Sequence, residues 1–256
     1  MFAIERQQSI MKLLAENGKV TIPELVALFN TSHETIRKDL LYLEQQNALK
    51  RIYGGAISMD SYCNMQPLAT RKTERVAQKN ELYRYAVQLI KEDDVIAIDE
   101  GSTAAELAKM LVGKFKNLTV ITHNLEVFQI LSENSSYQLM LCGGKFIREE
   151  KAFAGHFAVE MASQIHTRKA FVCPLAVSLQ YGITDFNEEF IPVQKCFVNN
   201  TDKVIVLADS WKFEIASRYK ICDMNSDITV VTDSRLDNDI FNLYKENGMD
   251  IIREKR

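Results

Sequence analysis

The chain has 256 residues, a formal net charge of −3 and 46% hydrophobic residues, which is enough length for two domains and enough apolar side chain for a large core. That charge excludes a generally basic coat for nucleic acid, and no apolar run approaches the roughly eighteen residues of a membrane span. Cys63, Cys142, Cys173, Cys196 and Cys222 are odd in number and widely spaced, with no CxxC pair and no His at metal-ligand spacing, and Glu5 and Arg6 interrupt any signal-peptide pattern. The expectation is a cytoplasmic protein with reduced, mostly buried thiols, no metal and no cofactor.

Residues 5–16 place Ile10, Leu13 and Leu14 on one face of a first helix, and Gly18 after Asn17 suits its C-cap. The segment VTIPELVALFN predicts a supporting helix, with Pro23 tolerated in its first turn and Leu25, Leu28 and Phe29 pointing inward. Ser32 stands where an N-cap would, and Ile36, Leu40 and Leu43 then form the buried stripe of a third helix. Just inside its start lie His33, Glu34, Thr35, Arg37 and Lys38, the end of a recognition helix that meets base edges and phosphates in a helix-turn-helix. Leu49, Arg51 and Tyr53 alternate with Lys50 and Ile52 before Gly54-Gly55, predicting a strand, a tight turn and a returning strand at Ala56-Ile57. Arg51 and Tyr53 of this wing are expected to face the phosphate backbone or the adjacent minor groove. The candidate DNA contacts are therefore Thr21, Ser32, His33, Glu34, Thr35, Arg37, Lys38, Lys50, Arg51, Tyr53 and Gly54. Residues 1–60 hold seven Lys/Arg and seven Asp/Glu, so binding must rest on a few placed cations, and Arg37, Lys38, Lys50 and Arg51 lie in the helix and wing.

Residues 58–75 lose apolar periodicity and carry Ser, Asn, Pro and a charge cluster, which reads as an interdomain linker. Beyond it the pattern alternates. A helix is predicted over 76–90, a strand at 95–98, a helix over 104–111, and strands at 118–122, 138–141, 170–172, 204–207, 228–231 and 250–252. Short apolar strands between amphipathic helices imply an α/β domain with a mainly parallel sheet.

Candidate ligand groups sit at the predicted strand ends, which line the crevice of an open α/β sheet. Gly101, Ser102 and Thr103 follow the first strand and open a helix, offering backbone N–H groups, two hydroxyls and the positive end of a helix dipole to a phosphate. Thr122-His123-Asn124, Cys142-Gly143-Gly144 and Asp209-Ser210-Trp211-Lys212 also follow strands.

The N-terminal residues resemble the DeoR family of bacterial regulators, whose signature is matched by Glu24-Leu25, Phe29, Ser32, Thr35-Ile36-Arg37-Lys38-Asp39-Leu40, Leu43-Glu44, Leu49, Arg51 and Gly54-Gly55-Ala56. The family often has His where Tyr53 stands and Gly where Asn47 stands. The resemblance covers almost the whole chain, since Asp99 with Gly101-Ser102-Thr103, then Thr122, Gly143-Gly144 and Ala208-Asp209-Ser210-Trp211-Lys212-Phe213 match the effector domain of such regulators. It implies a winged helix-turn-helix followed by a domain similar to ribose-5-phosphate isomerase that binds sugar phosphates. The implied effector residues are Asp99, Gly101, Ser102, Thr103, Thr122, His123, Gly143, Gly144, Glu189, Asp209 and Lys212, with Lys212 neutralising phosphate or holding Asp209.

Three departures stand out. The family's Thr-Asn-Ser reads Thr122-His123-Asn124, the acidic residue expected near Leu175 is missing, and Gln194 replaces one of a basic pair downstream of Glu188 and Glu189. A buried His of this kind is more often a hydrogen-bonded core residue than a ligand. Residues 171–180 contain no Asp, Glu or His, so the carboxylate base an isomerase needs is absent there.

The resulting expectation is a non-enzymatic, sequence-specific regulator, more often a repressor of a carbohydrate-utilisation operon. Its domains would be a DNA-binding domain over 1–57, a linker over 58–75 and an effector-binding and oligomerisation domain over 76–256. Its partners would be double-stranded operator DNA, a sugar phosphate and further copies of itself, with no membrane. Two alternatives remain open, a sugar-phosphate isomerase-like enzyme and an oligomeric DNA-binding protein with no small-molecule effector.

Overall fold

The computed structural model describes residues 2–52, 54–58, 66–133 and 136–254. It divides into two compact units, Met1–Gln66 and Pro67–Arg256.

The first unit runs α1 (Ala3–Asn17), β1 (Lys19–Thr21), α2 (Ile22–Phe29), α3 (His33–Gln45), β2 (Leu49–Ile52) and β3 (Gly55–Ser58). Gly18 ends α1 in the left-handed region at φ 75°, and Thr21 and Glu24 form a reciprocal capping box on α2. Ile10, Leu14, Val20, Leu25, Ile36, Leu40, Leu43 and Leu49 close into one core. Leu28, expected to point inward, is 61% exposed. Because α2 begins at Ile22, the inward positions at helical spacing are 22, 25, 26 and 29, and Leu28 falls on the opposite side. Asp39 is buried on α3, where it takes Arg6 Nε at 2.5 Å and Gln7 Nε2 at 3.0 Å, tying α1 to the recognition helix.

The wing has three antiparallel strands in the order β1-β3-β2. The returning strand is where the sequence predicts it, but β1 is additional. A Cβ on Gly55 would lie 2.1 Å from Val20 O, so glycine there is what lets β3 pair with β1.

The second unit begins with α4 (Leu68–Thr73) and α5 (Val76–Gln88), so part of the stretch read as a linker is helical. There follow β4 (Val95–Ile98), α6 (Gly101–Leu111), β5 (Thr119–Thr122), α7 (Leu125–Ser132), β6 (Gln138–Leu141), β7 (Lys145–Ile147), β8 (Ala152–Ala154), α8 (His156–Ser163) and β9 (Lys169–Val172). Then come β10 (Ala176–Ser178), β11 (Gly182–Asp185), α9 (Ile191–Asn199), β12 (Val204–Leu207), β13 (Tyr219–Cys222), β14 (Ile228–Val231), α10 (Asn238–Glu246) and β15 (Asp250–Ile252).

Seven strands form one parallel sheet in the order β15-β14-β12-β9-β4-β5-β6. Its central strands are buried on both faces: Ile96 and Ile98 pack toward α5, α6 and α7, whereas Ala97 packs toward α8 and α9. Strand order reverses between β4 and β9, because β5 and β6 extend to one side of β4 while β9, β12 and β14 extend to the other. A crevice opens beyond the carboxyl ends of strands at such a switch point. Two smaller antiparallel sheets, β10-β11-β13 and β7-β8, lie outside the main sheet. Cys142 and Cys173 are buried free thiols, while Cys196 and Cys222 are only partly buried, and Cys63 lies outside the described residues. Among the described residues no helix is long and apolar enough to cross a membrane.

Candidate functional site

In the first unit Ser32 caps α3, its Oγ accepting from Thr35 N at 3.2 Å and lying 2.8 Å from Thr35 Oγ1. Thr21 spends its hydroxyl as the cap of α2, accepting from Glu24 N. His33, Glu34, Arg37 and Lys38 are exposed on the first turns of α3, and Arg37 and Lys38 enter no ion pair among the described residues. Their helix presents a basic edge away from the Ile36-Leu40-Leu43 stripe, as a recognition helix must.

In the wing, Lys50 and Arg51 lie beside a carboxylate of α3. Arg51 lies on the same strand face as buried Leu49, turned toward α3, where Glu44 accepts its backbone N–H at 3.0 Å and its Nε at 2.6 Å. Lys50 Nζ is 3.8 Å from the same carboxylate. Partial burial alone would raise the Glu44 carboxyl, but the Arg51 side-chain bond, the backbone bond and the charges of Arg51 and Lys50 outweigh it and hold it below the usual carboxylate range. Gly54 turns the wing at φ 75°, and Tyr53 lies outside the described residues.

In the second unit the predicted strand-end residues converge at the switch point. Asp99 leaves β4 fully buried, with Oδ2 accepting from Cys173 N at the end of β9 (3.0 Å) and from Gln194 Nε2 (3.1 Å). Its Oδ1 is 3.0 Å from His123 Nε2, and His123 Nδ1 is 2.9 Å from Phe153 O. The carbonyl can only accept, so Nδ1 donates to it. His123 also meets the edges of Phe190 and Phe197 at 5.6 and 5.7 Å, so it is an internal, hydrogen-bonded histidine.

Gly101 opens α6 at φ 97°, which makes Ser102 and Thr103 part of the helix's first turn, three residues before the predicted start. Lys79 of α5 is buried and donates to Ser102 Oγ at 3.2 Å and to Arg71 O. Its ammonium is pushed down to about 8 by burial first and then by Lys212, Arg75 and Arg71, while Asp209 acts in the other direction. Arg71 Nη1 lies 3.5 Å from where a Cβ on Gly101 would stand. Arg75 adopts an uncommon left-handed backbone at φ 53°, lies 5.4 Å from the Trp211 ring centre, and sets its Nε 3.6 Å from Asp209. Lys212 donates to Pro174 O at 2.6 Å rather than holding Asp209, which caps the turn after β12 through Trp211 N.

The remaining predicted residues are more peripheral. Thr122 Oγ1 accepts from Asn124 N, and Asn124 caps α7. Gly143 has open space beside it, whereas a Cβ on Gly144 would come within 2.5 Å of Ala154 O, so Gly144 serves the packing of β8. Glu189 pairs with Lys145 at 2.7 Å on the surface.

Sequence reasoning missed Arg71, Arg75 and Lys79, whose regular spacing of four was the available signal. It also missed two buried carboxylates. Asp185 on β11 is bridged to Asp99 through Gln194 Nε2, 3.1 Å from each, so a carboxylate reaches this cluster although residues 171–180 supply none. Burial and the Asp99 charge push Asp185 up to about 6, and burial with Glu150, Asp185 and Asp99 raises Glu100 well above the usual range. Glu100 Oε2 and Gln194 Oε1 are buried without a hydrogen-bond partner among the described residues.

A winged helix-turn-helix unit joined to an α/β unit with a cationic cluster at its sheet switch point defines a DNA-binding regulator with a sensor-type domain. Residues 6–62 match the model of the DeoR-like helix-turn-helix domain, and residues 74–234 match that of the DeoR C terminal sensor domain. The chain belongs to the DeoR family of transcriptional regulators. It is 31% identical over 98% of its length to the HTH-type transcriptional repressor GlcR of Bacillus subtilis, covering 96% of that protein. It is 29% identical to the HTH-type transcriptional regulator GolR of Listeria innocua, covering 98% of both chains. Identity to the putative aga operon transcriptional repressor of Escherichia coli O157:H7 is 29%, over 97% of this chain and 93% of that one. Among solved structures, ribose 5-phosphate isomerase A from Methanocaldococcus jannaschii gives a TM-score of 0.39 at 17% identity, over 53% of each chain.

Proposed function

We propose that this regulator is a cytoplasmic repressor of a carbohydrate-utilisation operon, acting as a dimer or larger assembly, with operator affinity modulated by a sugar phosphate at the switch point of the parallel sheet. One observation carries the effector reading. Lys79 is buried against Ser102 with Arg71, Arg75 and Lys212 around it; Glu150 pairs with Arg71, and Glu74 and Asp209 with Arg75, which leaves four cations against three carboxylates beside a helix N-terminus, an excess that an anion would offset. In this reading the phosphate takes the N–H groups and hydroxyls of Ser102 and Thr103 together with Lys79, Arg71 and Lys212. Gly101 allows the close approach, and Asp209 orients Arg75. Asp99, Thr122 and His123 shape the floor from beneath, and Gly143, Gly144 and Glu189 belong to the rim.

On the DNA side, Arg37 and Lys38 neutralise phosphates or read guanine while Ser32, His33, Glu34 and Thr35 approach base edges, with Thr21, Lys50, Arg51, Tyr53 and Gly54 flanking them. So few cations on a neutral domain favour two linked half-site contacts. The effector can switch the operator only by favouring one arrangement of the protein over another.

Thermal-shift measurements with phosphorylated and unphosphorylated pentoses and hexoses test the reading. A ligand at a hundredfold excess over its Kd should stabilise the protein by about 2.7 kcal/mol. If no phosphorylated sugar moves the melting temperature while duplex binding persists, the protein acts without this effector class. Aldose–ketose interconversion by the pure protein would instead make it an enzyme.

A further inference from the structure

Glu44 contradicts a simple electrostatic reading of the DNA-binding face. A carboxylate next to DNA repels phosphate, and this one lies on the recognition helix beside two of the four cations available in the helix and wing. Its geometry is specific. One oxygen accepts the Arg51 backbone N–H and the other its Nε, so both the strand and the guanidinium are fixed relative to α3. The bond takes the Nε edge of the guanidinium, and its terminal nitrogens have no partner among the described residues, although the Arg51 side chain is 42% exposed. A guanidinium held on one edge with its fork free is pre-organised to take a phosphate. The strands themselves are anchored by Leu49 and Ala56 in the core and by the pairing of β3 with β1, so what Glu44 adds is the aim of the Arg51 side chain.

We propose that Glu44 is a positioning residue for operator recognition, which aims Arg51 of the wing from the recognition helix and suppresses binding to unrelated DNA. The inference rests on Arg51 being a DNA contact, and the test separates the two. The full-length chain and its Glu44→Gln, Glu44→Ala, Arg51→Ala and Glu44→Ala/Arg51→Ala variants are titrated against a duplex selected by the wild-type chain from a randomised pool, and against a scrambled duplex of equal length, over a range of salt. Circular dichroism and melting temperature check folding, and Glu44→Gln, which keeps shape and an acceptor, guards against a folding artefact.

The expected result for Glu44→Ala is about tenfold weaker binding to the selected duplex, the scale of one misplaced charge-assisted contact, together with several-fold tighter binding to the scrambled one. The salt slope on scrambled DNA should steepen by roughly one as a cation is released. Arg51→Ala should weaken selected binding to a similar degree, and the double variant should lose no more than Arg51→Ala alone. If Glu44→Ala and Glu44→Gln bind both duplexes more tightly in equal proportion, Glu44 is only a repulsive charge and the inference fails. If Arg51→Ala leaves selected binding unchanged, Arg51 is not a DNA contact and the underlying reading fails instead.

Discussion

Raising the pH from about 7 to about 9 should weaken effector binding by titrating Lys79, because the structure puts its ammonium near 8. In the empty site burial and the charges of Lys212, Arg75 and Arg71 disfavour the proton. A phosphate dianion beside Ser102 reverses that balance, so the complex holds the proton to higher pH than the free protein does. Affinity is then full below about 8 and falls above it. The charged fraction of a group titrating near 8 drops from about nine tenths to about one tenth across this interval, a loss of about tenfold in affinity or about 1.4 kcal/mol. The phosphate itself is already a dianion throughout, its second pKa being about 6. The sign for the empty protein is opposite. A depressed folded-state lysine means the unfolded chain binds more protons between about 8 and 10.5, so Lys79 makes the unliganded protein more stable as pH rises through that window. Isothermal titration calorimetry with the best-stabilising sugar phosphate, in two buffers of different ionisation enthalpy, reads both the affinity and the proton uptake. A Kd unchanged between about pH 7 and pH 9, with no proton taken up, would refute the assignment, and Lys79→Met should abolish the dependence.

Other expectations concern the two units separately. Arg37→Ala and Lys38→Ala should each weaken operator binding and lower its salt slope by roughly one, and an unchanged slope would place them off the phosphate backbone. Asp39→Ala leaves Arg6 without its buried carboxylate and should destabilise the first unit by about 3–5 kcal/mol in denaturant unfolding; a loss below about 1 kcal/mol would show that the pair does not tie α1 to α3. Ser102→Ala and Lys212→Ala should keep operator affinity while dulling the effector response, and equal loss of both would signal damage to the fold.

The parts of the molecule written in local patterns were legible in the sequence. Ile36, Leu40 and Leu43 fix α3 because one helical stripe is enough to bury, and Ser32 marks its start through a bond three residues long. The strands at 95–98 and 204–207 stood out because burial on both faces makes them continuously apolar. What failed depended on distant partners. The three residues of β1 are too short to show alternation, and they are a strand only because Gly55 lets β3 approach. Leu28 misled because it is three residues from Leu25, yet the stripe of α2 is centred on Ile22, Leu25, Val26 and Phe29 and leaves it to one side. Arg71 and Arg75 sat in the stretch read as a linker and Lys79 in the helix predicted after it, and the packing of α4 and α5 beside α6 is what brings Arg71 next to Gly101 and Lys79 onto Ser102. Gln194 was visible only as a departure from a basic pair, whereas the fold uses it to hold Asp99 and Asp185 together.

The decisive measurement is operator affinity of the full-length protein titrated with phosphorylated sugars, beside their unphosphorylated counterparts and beside Lys79→Met. A phosphorylated sugar should change operator affinity by about five- to 150-fold in the wild type, the usual range of allosteric coupling, while the unphosphorylated sugar and the variant show no change. Operator affinity that no phosphorylated sugar alters, or that Lys79→Met still lets one alter in full, would contradict a phosphate-sensing switch at Ser102 and Lys79.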